Sequence, residues 1–87
     1  MFAWLRRLFS GPGLPDRWVG PLPDEPSHYV RAYSSGAKGH VHGFRRRWGW
    51  SVWRLTYSSI PYGSARTLRN ACEMADLAYR VHTGRAE

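Results

Sequence analysis

His40-Val-His-Gly-Phe-Arg-Arg-Arg-Trp-Gly-Trp-Ser-Val-Trp-Arg-Leu-Thr-Tyr57 is built from β-branched, aromatic and basic residues and holds no carboxylate. That composition favours extended backbone over helix. The stretch divides into two strand candidates, His40–Arg47 and Trp50–Tyr57, with Trp48-Gly49 as a tight-turn signal between them. Side chains alternate along a strand, so Trp53, Leu55 and Tyr57 share one face and Trp50, Val52, Arg54 and Thr56 the other. The first set is expected to face the core. In the preceding strand Val41 has the same parity as Arg45 and Arg47, and a bulge at Gly43 would restore the alternation.

Upstream, His28 to Ser34 is rich in Tyr and Val and runs into Ser34-Ser-Gly-Ala-Lys-Gly39, which reads as a strand and then a turn. Downstream, Ile60-Pro61-Tyr62-Gly63 breaks the strand pattern. Ser64 then reads as the N-cap of a helix running to about His82, with Gly84 just past its end. Leu68, Ala71, Cys72, Ala75, Ala78, Tyr79 and His82 recur at helical spacing, and Met74, Leu77 and Val81 widen the stripe. Arg66, Arg69, Glu73, Asp76 and Arg80 form the wet side, with Glu73 and Asp76 placed to pair with Arg69 and Arg80.

These elements predict an α+β fold: a small three-stranded antiparallel sheet packed against one C-terminal helix, with an extended N-terminal arm. Residues 27–87 make the β-β-β-α domain. Residues 1–26 make the arm, a short amphipathic helix with Phe2, Leu5, Leu8 and Phe9 on one side, then a strap carrying Pro12, Pro15, Pro21, Pro23 and Pro26. Nine residues do not hold a helix alone in water, so that segment must dock on something. Phe2, Trp4, Leu5, Leu8, Phe9 and Trp18 are therefore the candidate partner-binding residues.

Charge supplies the functional lead. The 87 residues carry net charge +7, and no Asp or Glu lies between Pro26 and Cys72. Arg31, Lys38, Arg45, Arg46, Arg47, Arg54, Arg66 and Arg69 all fall inside that interval. Like charges repel one another, and an anionic partner is the usual compensation. Twelve of the thirteen basic residues are Arg, whose planar fork suits phosphates and base edges. A GC-rich bacterial or phage genome would write the same bias without any such purpose. Trp48, Trp50 and Trp53 lie among these arginines and could pack in a core or lie against a base.

His42-Gly-Phe-Arg-Arg-Arg-Trp-Gly, Ser51-Val-Trp-Arg-Leu and Glu73-Met-Ala-Asp-Leu-Ala-Tyr79 together resemble the DNA-binding domain of plant ethylene-response factors and the arm-binding domains of phage integrases. The resemblance spans about forty residues. It implies a three-stranded sheet backed by one helix, with the sheet in the major groove. Carried over by motif, Arg45, Arg47, Trp50 and Arg54 would be contact residues. The family's third strand would fall on Ser58 to Tyr62, which is short and contains Pro61.

Arg45, Arg46 and Arg47 are the densest charge. A solvated edge strand charged against aggregation would look alike, although it would need no acid-free surround. Arg66 and Arg69 in a first helical turn would favour an anion held jointly with free N–H groups near Ser64, or carry a small tolerated penalty. The nucleic-acid candidates are thus Arg31, Lys38, Arg45, Arg46, Arg47, Trp50, Arg54, Arg66 and Arg69. His28, His40 and His42 with Cys72 lack the close cysteine pair of a structural zinc site, so no metal and no cofactor is expected. Those histidines read instead as an edge of the basic surface or as packing partners for the aromatics.

No nucleophile–base pair, carboxylate pair or phosphate loop is legible, so no enzyme is expected. The expected partner is nucleic acid, DNA ahead of RNA. The alternative is a phage- or bacterium-encoded interaction protein that binds a host protein or a larger assembly through its N-terminal arm and its aromatic and arginine surface, with a homo-oligomer also open. Lone Cys72 allows no internal disulfide and no apolar run reaches membrane-spanning length, which suggests a cytoplasmic setting, the host's if phage-encoded.

Overall fold

The computed structural model describes residues 14–55 and 60–86. Its elements are β1 (His28–Ala32), β2 (Lys38–Phe44), β3 (Arg47–Trp53), β4 (Tyr62–Ala65) and α1 (Leu68–Thr83). The strands form one antiparallel sheet in the order β1-β2-β3-β4. The α+β class and the C-terminal helix are as expected. The sheet has four strands rather than three, because the residues after Pro61 pair with β3 instead of breaking the pattern: Trp50 lies opposite Gly63 and Ser51 opposite Tyr62.

The β2–β3 hairpin differs most from expectation. Its turn is Arg45-Arg46, with Phe44 paired to Arg47 and Arg45 at φ 58°. Trp48-Gly49 lies within β3. A two-residue turn fixes the register, placing Val41 opposite Trp50 and Gly39 opposite Val52. Val41 and Val52 are fully buried. The inner set of β3 is therefore Trp48, Trp50 and Val52, and Trp53 points outward at 48% exposure. Arg54, at φ 63°, turns the chain, so Leu55 still packs against the core.

No bulge occurs at Gly43, which pairs directly with Trp48. A Cβ there would meet the Trp48 ring at 3.0 Å, and one at Gly63 would meet the Trp50 ring at 2.9 Å. Each indole leans over the glycine opposite it, and so the inner face holds large aromatics under one helix.

Thr67, not Ser64, caps α1. Its backbone is extended and its side chain accepts the Asn70 N–H at 3.1 Å. Gly84 closes the helix in the left-handed region, φ 71°, its N–H bonded to the Arg80 carbonyl. Ala71, Cys72, Ala75 and Tyr79 pack on the sheet, with Tyr79 stacked on Tyr33 at 3.9 Å. Met74, Leu77 and Val81 face solvent instead of widening the buried stripe.

Residues 14–26 pack against the sheet and helix as part of the same unit. Trp18 is 4% exposed, and Val19 exchanges both backbone hydrogen bonds with Val30 at 2.9 Å. Three side chains meet around one carboxylate: Asp76 accepts from Tyr33 Oη at 2.7 Å, from Trp18 Nε1 at 3.2 Å and from Arg31 at 2.8 Å. Asp76 is consequently a buried residue and not part of a wet helix face. Among the described residues no helix is long and apolar enough to cross a membrane.

Candidate functional site

The sheet face turned away from α1 presents the alternate residues of every strand. β1 gives His28, Val30 and Ala32, and β2 gives Lys38, His40, His42 and Phe44. β3 gives Arg47, Gly49, Ser51 and Trp53, and β4 gives Tyr62 and Ser64. Phe44 and Tyr62 are 70% and 80% exposed. The strands contribute no carboxylate, and Glu25 at the β1 edge holds His28.

Lys38 and Trp53 are cross-strand partners near one end of this face, and Arg54 follows. At the other end Arg45 and Arg46 form the exposed turn, with the Arg45 guanidinium 5.4 Å over the Phe44 ring. Arg47 is fixed by its Nε and Nη2 groups, which donate to Ser64 Oγ at 3.2 and 3.1 Å. Positive charge therefore brackets the face, separated by roughly 20 Å at about 3.3 Å per residue along β2. Between the two ends lie rings and imidazoles.

Several expected contact residues lie elsewhere. Arg31 faces the core, 6% exposed, because its partner on α1 is Asp76; the sequence gap between them hides this counter-charge. Trp50 points under the helix because the two-residue turn sets its parity. Arg66 is exposed ahead of the cap. Arg69 pairs with Glu73 at 3.0 Å, and Ser64 is a strand residue engaged by Arg47, so Ser64 takes no part in the helix start. Trp18 is buried inside the domain and is no free partner anchor. Phe2, Trp4, Leu5, Leu8 and Phe9 lie outside the described residues.

Phe44 and Tyr62 carry no site expectation in the sequence, Trp53 is expected in the core, and the sequence does not show that the three histidines meet. His28 lies directly opposite His42, and His40 neighbours both. The His28 and His42 rings stack at 3.8 Å, and His28 Nε2 is 2.9 Å from His40 Nδ1. The His28 Nδ1–H donates to Glu25 Oε2 at 2.8 Å. Burial holds His40 and His42 below the usual imidazole range, and the neighbouring His28 adds to this. Cys72 lies across the sheet in the core, where burial pushes its thiol up to about 12.

No protein-family model, curated protein or solved structure matches this chain.

Proposed function

We propose that this protein is a small non-catalytic nucleic-acid-binding module whose open sheet face grips an unpaired strand. The observation that carries the reading is the exposure of Phe44, Trp53 and Tyr62 on a face that is bracketed by Lys38, Arg45, Arg46, Arg47 and Arg54 and whose strands hold no carboxylate. Rings stack on any base, and guanidinium groups release the counterions condensed on phosphates. A paired duplex hides its base faces, so this arrangement favours single strands. DNA is the first substrate to try. The lone buried Cys72 is compatible with a reducing, cytoplasmic setting.

Titration of labelled single-stranded DNA, single-stranded RNA and duplex at several salt concentrations tests the reading. Tighter binding to single strands, falling steeply with salt, is the expected result. Absence of micromolar binding at low salt would refute it.

A second reading rests on a different surface. Met74, Leu77 and Val81 expose a stripe along the outer side of α1, which favours a protein partner or a second copy of the chain. Light scattering of the protein and of Leu77→Arg distinguishes a self-associating helix face from a monomer.

A further inference from the structure

We propose that His28, His40 and His42 form a three-imidazole site for a divalent transition-metal ion, Zn2+ foremost, on the open sheet face. The inference goes beyond the nucleic-acid reading and stands without it. Each of the three side chains offers one ring nitrogen, and these atoms lie within 4.8 Å of one another. Two adjacent strands supply them: His28 and His42 are direct cross-strand partners, and His40 is two residues along β2 on the same face. The sheet register therefore fixes three Cβ positions around a common point.

The surrounding contacts fit ligation. Around a tetrahedral ion with metal–nitrogen bonds of about 2.0–2.1 Å, ligand nitrogens stand roughly 3.3 Å apart. His28 Nε2 and His40 Nδ1 already stand at 2.9 Å. His42 is exposed, and its ring already lies stacked on His28 at 3.8 Å. Glu25 takes the Nδ1–H of His28, which leaves the Nε2 lone pair aimed at His40. A carboxylate behind a ligating imidazole fixes its tautomer and raises its basicity. Binding needs no net proton release from His40, because the hydrogen on Nδ1 can be carried on Nε2 instead. Imidazole donors suit Zn2+ and its borderline neighbours, whereas Mg2+ and Ca2+ take oxygen ligands. Three protein ligands leave one position for water or another oxygen donor.

Calorimetric titration of the full chain with Zn2+, and with Co2+ read by its visible absorption, tests the proposal without any nucleic acid. The expected result is one ion per chain and a tetrahedral Co2+ spectrum without a thiolate charge-transfer band. His40→Gln and His42→Gln should each weaken binding by more than about 100-fold, and Glu25→Gln by about 10–100-fold. His82→Gln should leave it unchanged, since that ring lies on α1 bonded to the Ala78 carbonyl. His42 is exposed, so His42→Gln keeps the fold, and circular dichroism in chelator verifies this. Absence of Zn2+ binding by the native chain, undiminished affinity in folded His42→Gln, or loss of binding in Cys72→Ser that circular dichroism shows to be folded would each overturn the assignment.

Discussion

Arg31 on β1 and Asp76 on α1 meet at 2.8 Å in the interior, although 45 positions of sequence separate them. Tyr33 and Trp18 donate to the same carboxylate, and the Arg31 Nε is buried with no hydrogen-bond partner. Removing one member of a buried pair strands the other charge, at about 3–5 kcal/mol. Asp76→Ala should therefore destabilise the domain by that order in urea denaturation. Asp76→Asn, which retains an acceptor for Trp18 and Tyr33, should be milder.

Trp18→Ala should destabilise the domain by about 3–5 kcal/mol, the usual range for emptying a buried aromatic site. An arm that merely lay on the surface would show a change within about 0.5 kcal/mol. Chemical unfolding followed by far-ultraviolet circular dichroism separates these outcomes.

The helix start is testable by contrast. Thr67→Ala should cost about 1 kcal/mol, as loss of a capping side chain does. Ser64→Ala removes only an exposed bond to Arg47 and should change stability by a few tenths. Paired urea midpoints measure the difference.

Cys72 carries a pH dependence. Its folded-state thiol is pushed from 9.0 to about 12 by burial, with Asp76 and Glu73 adding to the rise. Below pH 9 both folded and unfolded chains hold the proton, and this contribution is fully present. Between pH 9 and 12 the unfolded chain loses its proton first, so stability falls as pH rises through that window. Cys72→Ala should flatten part of this alkaline slope, and Tyr33, raised by burial and Asp76, contributes in the same direction. At pH 8 the native thiol should react with a disulfide reagent far more slowly than in denaturant.

Trp53→Ala and Tyr62→Ala should leave the fold within about 0.5 kcal/mol, since both rings are exposed. Under the nucleic-acid reading each should weaken single-strand binding by about 1–3 kcal/mol. Arg46→Ala should instead lower the salt slope by about 1 with little sequence dependence. Anisotropy titrations read both.

Local chemistry made much of this fold legible. The helix end at Gly84 followed from its left-handed preference, and the Tyr33–Ala37 link from its Ser-Ser-Gly content. The β2–β3 turn was misplaced because Trp48-Gly49 resembles a turn more than Arg45-Arg46 does; an arginine at positive φ leaves no sequence mark. With the turn at Arg45-Arg46 the faces of β3 are the reverse of the expected ones, Trp50 turned to the core and Trp53 to solvent. Arg31 was misread because the acid that neutralises it comes from another element. The three histidines were visible singly, but their meeting depends on which residue of β1 sits opposite His42.

The Arg45-Arg46 turn also bears on how this gene can change. One residue added to or deleted from β3 ahead of Val52 would turn Val52 outward and Trp53 inward, and one inserted between His40 and His42 would send their imidazoles to opposite sides of the sheet. Descendants of this chain should therefore keep the spacing between Val41 and Val52 constant, and any drift in length should gather in the links flanking the hairpin.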